Sequence, residues 1–400
     1  MQQKELEFRV FWLAGLACFV LAGSTGALFR FSLLYGPPAG LDLGNVRHAH
    51  SHLMYFSWVT PALMALIGSW LPRLTGCAFR RGLRWLIGLT IVLGLLAYPP
   101  FLLYGYTVAE IGKARLPLSM IAASANALTW YLFAALYART TWGLVRSLAL
   151  RLWDAGIGFL LLATAGAAGR GVLVALDVSD PFWQAATVHL FLDLFSDGWV
   201  MLALLGLLYA IYPTIKPSYT GLATRLIIIG LPVTFLLGVP VSLVPPTARL
   251  VAGVGGVLVA VGLLLHIRAL WPHVASLWRV PLAFGALKAL VQLGISIPPL
   301  AHWVERMSLR IPYLHWLLLG FVTLSLVAAA VETWPSILIR HYRWIVAAIL
   351  LLQLSLLPLT GFWPAAWRGQ WVLILAAWSA LAPVVAAVGL LLTHKTGEST

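Results

Sequence analysis

Histidine and carboxylate side chains that fall inside apolar stretches are the residues of this chain that could bind metals or transfer protons. The sequence has 400 residues, of which 61% are hydrophobic, and only ten histidines and twelve acidic residues. Three segments place them in apolar surroundings: Arg47-His48-Ala49-His50-Ser51-His52-Leu53-Met54, His189-Leu190-Phe191-Leu192-Asp193-Leu194-Phe195-Ser196-Asp197 and Tyr313-Leu314-His315-Trp316. Imidazole ligates haem iron, copper and zinc, and carboxylates add oxygen ligands or carry protons. The three segments are therefore candidates for metal binding, electron transfer or proton handling.

Helical spacing separates the residues of the first two segments into faces. On a helix, His48 and His52 share a face, and His50 points about 200° away from them. The residues His189, Asp193 and Asp197 recur at i, i+4 and i+8, which predicts one polar stripe on an apolar helix. A hydrogen-bonded packing network would also explain such a stripe. Ionisable residues inside a membrane helix usually mark a functional site, which favours a metal or proton-handling site.

The elements that position these residues are membrane-spanning helices. Charged residues make up 10% of the chain and the mean hydropathy is +0.93, whereas soluble domains carry about 25% charged residues. A span needs about 20 apolar residues, and only helices satisfy their own backbone in lipid. The sequence predicts one all-α transmembrane domain over residues 1–400. About twelve spans are expected, at 9–34, 47–71, 83–104, 116–138, 150–176, 183–212, 224–244, 248–271, 280–300, 310–333, 342–361 and 369–393.

The basic residues indicate topology, not nucleic-acid binding. The formal net charge is +14, but the Lys and Arg residues lie in short loops between spans, as topology signals do. Loops on the N-terminal side hold the larger share, which predicts that both termini are cytoplasmic. The second, sixth and tenth spans then all begin outside, so His50, His189 and His315 lie at similar depth and could serve one cofactor layer. Lys288 lies alone in mid-span, and its expected role is pairing with Asp197 or Asp154, or proton uptake.

Longer motifs around His50 and His315 make the prediction for the second and tenth spans more specific. Gly26-Ala27-Leu28-Phe29-Arg30 ends the first span, and the second contains His50-Ser51-His52-Leu53-Met54-Tyr55-Phe56, Pro61-Ala62-Leu63 and Leu71-Pro72. With these residues the chain resembles subunit I of the haem-copper oxidase superfamily, a twelve-helix protein with cytoplasmic termini. The resemblance implies that His50 is the first axial ligand of a low-spin haem. Tyr313-Leu314-His315-Trp316-Leu317-Leu318 resembles the family's tenth-helix segment, which makes His315 the second ligand and puts Tyr313 where the high-spin haem ligand belongs.

The sixth span resembles the nitric oxide reductase branch of this superfamily. In that alignment His189 matches a ligand of the non-haem metal, and Asp193 and Asp197 match two active-site glutamates, each one methylene shorter. The seventh span departs from the family, since the family's adjacent His-His pair is absent from the segment Arg225 to Val244. The resemblance thus implies an intact low-spin site beside an incomplete or altered dinuclear site.

The implied function is electron transfer by a membrane haem b protein in a bacterial or archaeal inner membrane. Other respiratory subunits, or a quinol or cytochrome donor, would supply electrons, and membrane lipid surrounds the chain. The altered site would hold either a second haem on Tyr313 or a non-haem metal on His189, with Asp193 and Asp197 as candidate catalytic groups. This is the pattern of a relative of oxygen and nitric oxide reductases whose own catalytic site is degenerate.

Two other functions fit parts of the sequence. The segment His48-Ala49-His50 resembles the start of the second span in haem- and copper-containing membrane proteins of the nitric oxide response, which would make the chain a sensor or stress-protection protein. A proton-coupled transporter could use Asp193, Asp197 and Lys288 as a relay. Transporters usually show paired broken helices in corresponding halves, and the sequence predicts none.

Overall fold

The protein is almost wholly helical and divides into two compact units. A computed structural model describes residues 2–77, 79, 82–215, 217–334, 337 and 339–396. The first unit comprises residues 1–143 and 326–400, and the second comprises residues 144–325. The prediction of a single transmembrane domain over 1–400 stays a prediction.

The first unit contains four N-terminal helices, a hairpin and the C-terminal helices. They are α1 (Gln2–Tyr35), α2 (Leu43–Thr75), α3 (Gly82–Tyr104), β1 (Ala109–Ile111), β2 (Ala114–Leu116) and α4 (Leu118–Thr141), followed near the end of the chain by α12 (Ile339–Leu356), α13 (Gln370–Ser379) and α14 (Ala382–Thr396). The two strands pair antiparallel, with Glu110 opposite Arg115. The sequence did not predict this short hairpin, which lies between two apolar helices.

The second unit contains the remaining helices. They are α5 (Leu148–Ala175), α6 (Pro181–Ile211), α7 (Thr220–Gly238), α8 (Pro246–Leu270), α9 (Arg279–Ile295), α10 (Pro298–Arg306) and α11 (Arg310–Thr333), whose last residues belong to the first unit. Short 3-10 turns occur in both units, at Pro38–Gly40, Val241–Leu243, Ser276–Trp278, Leu357–Leu359 and Ala365–Trp367.

The helices confirm a multi-pass membrane protein. Within the described residues, eleven helices are long and apolar enough to cross a bilayer, or twelve if the bent pair α9–α10 is one span. That pair differs from the straight span predicted at 280–300, because the chain bends by 112° before Pro298 and Pro299. Proline has no N–H to continue a helix and clashes with the preceding turn. The predicted seventh span, 224–244, ends earlier, at Gly238.

Local sequence fixes where the histidine-bearing helices begin and end. The Asp42 carboxylate accepts a hydrogen bond from the backbone N–H of Asn45 at 2.9 Å and caps α2. The Asp180 carboxylate likewise accepts from the N–H groups of Phe182 and Trp183 and caps α6, whose first residue is a proline. Such caps satisfy N–H groups that have no partner inside the helix. At its other end, α2 stops at Gly76, which adopts the left-handed conformation with φ of 73°.

Three helices, α2, α6 and α11, differ from the other spans in burial and in backbone geometry. Their apolar stretches are 94%, 94% and 72% buried within the protein, whereas no other span exceeds 56%. Each contains a π-helical segment, at Met54–Val59, Leu194–Val200 and Trp316–Thr323 respectively. Each π-helical segment follows the helix's candidate histidine within five residues.

Candidate functional site

His50 on α2 is held in one orientation by the neighbouring helix α1. Its Nδ1 atom lies 2.7 Å from the backbone carbonyl oxygen of Ala22. A carbonyl can only accept, so Nδ1 carries the proton and Nε2 carries the lone pair. This tautomer allows Nε2 to ligate a metal, and a backbone carbonyl is a common partner for the other nitrogen of such a histidine.

The close approach of α1 to the His50 ring depends on a glycine. A Cβ atom added at Gly26 would lie 3.0 Å from Cε1 and 3.1 Å from Nδ1 of His50. Such contacts are tighter than a normal van der Waals contact, so the ring would have to move. Gly26 is one of the residues that carried the family resemblance, and the structure gives it a local role in seating this imidazole.

The other two histidines of α2 face a different set of side chains, as helical spacing predicts. The His52 ring stacks on Phe101 with centroids 3.7 Å apart, and its Nε2 atom lies 3.2 Å from the Tyr106 hydroxyl. The His48 ring packs edge-on against Tyr106, with centroids 4.7 Å apart. The prediction that His48 and His52 share a face away from His50 is confirmed. Their contacts with the end of α3 and the loop after it are those of a packed aromatic cluster.

His315 on α11 has the same tautomer as His50. Its Nδ1 atom lies 2.8 Å from the carbonyl oxygen of Ile311, one turn earlier in the same helix, so Nδ1 donates and Nε2 carries the lone pair. Tyr313 lies two residues before it and is partly buried. His50 belongs to the first unit and His315 to the second. Their assignment as the two ligands of one haem remains a prediction.

His189 on α6 is bracketed by two charged side chains. Its Nε2 atom is in hydrogen-bonding contact with the guanidinium of Arg310 at the start of α11. Arginine only donates, so Nε2 accepts and Nδ1 carries the proton. That Nδ1 atom is buried and faces the Asp193 carboxylate, with Oδ2 at 3.6 Å. The three groups therefore form a row running from arginine through histidine to aspartate.

Asp197 forms an ion pair with Lys288. Its Oδ2 atom lies 2.7 Å from Nζ of Lys288 on α9, and the two side chains are 9% and 1% exposed. The same ammonium donates to the amide oxygen of Gln292, one turn further along α9. Of the two partners expected for Lys288, the structure selects Asp197, because Asp154 pairs with Arg146 at 3.1 Å.

The π-helical segment of α6 explains why the predicted polar stripe is divided between two sets of partners. Asp193 precedes the π-helical segment and Asp197 lies inside it. A π turn takes up more residues than an α turn, so Asp197 falls short of the face that His189 and Asp193 share. The i, i+4 contact between His189 and Asp193 is present, whereas Asp197 points to α9 instead.

Sequence reasoning missed the partners that complete these sites. Arg310 is the first residue of the span predicted at 310–333, five residues before His315, but nothing in the sequence pairs it with His189. Gly238 was also missed: a Cβ atom there would overlap the His189 ring. Both belong to helices other than α6, so no pattern within α6 could have revealed them.

The described residues contain no group of three or more His, Cys, Asp or Glu side chains placed to hold a metal ion. The expectation of a non-haem metal at His189, Asp193 and Asp197 therefore rests on the sequence resemblance. In the structure His189 contacts Arg310, Asp197 contacts Lys288, and Asp193 lies beside His189. Comparison with known proteins adds no assignment, since no family model and no curated protein matches the sequence.

Proposed function

We propose that this chain is a membrane haem b protein that transfers electrons through a low-spin haem ligated by His50 and His315. It would act in the inner membrane of a bacterium or archaeon, with cytoplasmic termini and with partner subunits or a quinol or cytochrome donor supplying electrons. The observation that carries the proposal is the fixed tautomer of His50, with Nδ1 donating to Ala22 and Gly26 leaving space for the ring.

The residues of the chain orient the two proposed ligands. The carbonyl oxygens of Ala22 and Ile311 hold Nδ1 protonated in both histidines, so each presents a basic Nε2. Hydrogen bonding at the second nitrogen fixes ring orientation and raises ligand basicity. A bound haem supplies reversible one-electron chemistry, and two imidazole ligands leave no position for a gas molecule.

A haem count on the purified full-length protein tests the proposal. Reduced-minus-oxidised spectra should show one low-spin haem b that does not change on adding carbon monoxide. The variants His50→Ala and His315→Ala should each lose this spectrum. The matched control, His52→Ala, removes a neighbouring histidine with other partners and should retain it. Absence of haem from the wild-type protein, or an unchanged spectrum in both ligand variants, would show the proposal to be wrong.

A proton-coupled transporter is the second candidate, favoured by the broken helix α9–α10. The helix that carries Lys288 ends at Ile295, and the chain turns by 112° before continuing as α10. Broken helices beside buried charges are the usual construction of transporter binding sites. Haem-free protein would favour this candidate, and Lys288→Met should then abolish proton-driven uptake in proteoliposomes. A haem spectrum that depends on His50 and His315 would count against it.

A further inference from the structure

We infer that Arg310 and Lys288 take the place of a divalent metal ion at His189, Asp193 and Asp197, so that this cluster, the α6 site, is a metal-free site of ion pairs. All five side chains belong to the second unit. They are brought together by α6, α9 and the first turn of α11. The inference goes beyond the haem proposal, because it concerns different residues and a different kind of site.

The charges at the α6 site already balance. With both aspartates ionised and His189 neutral, the acidic groups carry two negative charges, and Arg310 and Lys288 carry two positive charges. A divalent metal would bring the same two positive charges. Adding a divalent metal ion to these five side chains would leave two uncompensated positive charges. They would lie beside Asp197 and Lys288, which are both more than nine-tenths buried. Burying unpaired charge is strongly unfavourable.

Two of the donor atoms that a metal would need face these basic groups. The Nε2 lone pair of His189 points to Arg310, and Oδ2 of Asp197 contacts Lys288. His189 also lies against the backbone of α7 at Gly238, where even one added carbon would overlap the ring. The imidazole is therefore seated between α7 and Arg310. Guanidinium and ammonium groups satisfy the same ligands that iron, copper or zinc would take.

Basic side chains in place of a metal ion change the chemistry that the α6 site can carry out. A metal offers open coordination positions, whereas Arg310 and Lys288 offer only N–H donors. Lysine, histidine and aspartate can hold or pass protons, so the α6 site can carry protons. Reduction of oxygen or nitric oxide on a metal at His189 is then not an activity of this chain.

Cobalt(II) binding to the purified full-length protein tests the inference, because tetrahedral or five-coordinate cobalt absorbs in the visible range. Wild-type protein should bind no cobalt in a His189-dependent manner. The double variant Lys288→Met with Arg310→Met removes both positive charges and should gain one cobalt per chain, bound at least about tenfold more tightly than by wild type. Adding His189→Ala to the double variant should remove this binding.

Two controls separate charge removal at the α6 site from other effects. Lys288→Arg keeps the charge, and Arg268→Met removes an exposed cation elsewhere in the second unit; neither should gain cobalt. One metal ion bound by wild-type protein and lost in His189→Ala would overturn the inference. A folded double variant that binds no cobalt would overturn it too. If the double variant does not fold, the comparison of wild type with His189→Ala decides the question: no metal bound in a His189-dependent manner supports the inference, and a metal lost in His189→Ala overturns it.

Haem content measured on the same samples distinguishes this inference from the proposed function. The haem spectrum should be equal in wild type and the double variant, since neither basic residue contacts His50 or His315 in the proposal. A wild-type protein without haem would defeat the proposed function and leave the cobalt comparison intact. A haem protein that also carries a metal lost in His189→Ala would defeat only the inference.

Discussion

Removing one member of the Asp197–Lys288 ion pair should destabilise the protein far more than removing both. At a separation of 2.7 Å, Coulomb's law with an effective dielectric constant of about 20 gives an attraction of about 6 kcal/mol. Desolvation of the two buried ions offsets much of this attraction, so the pair adds little net stability compared with apolar groups. A single deletion leaves the other charge buried and unpaired, and we expect Lys288→Met or Asp197→Asn to lower the free energy of unfolding by about 3–5 kcal/mol.

A double-mutant cycle measures this coupling directly. The free energy of unfolding would be followed by tryptophan fluorescence in a denaturing-detergent titration of wild type, both single variants and the double variant Lys288→Met with Asp197→Asn. The double variant should lie within about 1–2 kcal/mol of wild type, with a coupling of at least about 3 kcal/mol.

The exposed pair Glu110–Arg115 serves as the control for this cycle. Its side chains are both 74% exposed, with Nε and Oε1 3.6 Å apart, and exposed pairs contribute at most about 1 kcal/mol. The same cycle on the hairpin should give a coupling near zero. Additive losses at Asp197 and Lys288 would refute the reasoning, since they would mean that neither charge depends on the other for its burial.

Two further predictions follow from close contacts. Gly238→Ala places a methyl group against the His189 ring and should cost about 1–3 kcal/mol of unfolding free energy. The control Gly158→Ala, whose Cβ would meet nothing within 4 Å, should be neutral or stabilising by up to about 1 kcal/mol. The same detergent titration measures both variants, and equal effects would contradict the contact between Gly238 and His189. Tyr106→Phe removes the hydroxyl beside His52 and should lower the free energy of unfolding by about 0.5–1.5 kcal/mol with no loss of haem. A parallel loss of haem would mean that the haem ligand lies on the face of α2 that carries His52, not on the face of His50.

Much of the fold could be predicted from the sequence because apolar length is a local property. The span expected at 83–104 corresponds to Gly82–Tyr104, and the one expected at 310–333 to Arg310–Thr333. The break between α9 and α10 was missed, although Pro298 and Pro299 stood in the sequence, because hydropathy continues through the bend. The hairpin at Ala109–Leu116 was missed because it is short, partly charged and lies between two strong apolar signals.

The candidate site could be predicted only where one helix determines it. The spacing of His48, His50 and His52 gave their faces correctly, since α2 is regular up to Leu53. The stripe of His189, Asp193 and Asp197 was predicted as one line, and the π-helical segment that begins at Leu194 divides it. Regular periodicity cannot reveal such a segment, and partners supplied by other helices lie outside any local pattern.

The π-helical segments themselves favour a common role for α2, α6 and α11. Each is closed by a backbone hydrogen bond spanning five residues: Thr60 to Tyr55, Met201 to Ser196 and Leu324 to Leu319. Only the α2 segment has an adjacent proline, Pro61, that would disturb the hydrogen-bond ladder by itself.

A π-helical segment in each of the most buried helices, beginning one to five residues after a histidine, is therefore better explained by what the histidine does than by local sequence alone. Such segments occur frequently at functional sites. A π turn lets the polar residues before it and the apolar residues after it both face the interior, although strict α-helical spacing would turn one set toward lipid. For the proposed function, substitutions at His50 and His315 should therefore alter haem binding, whereas substitutions in the less buried helices should not.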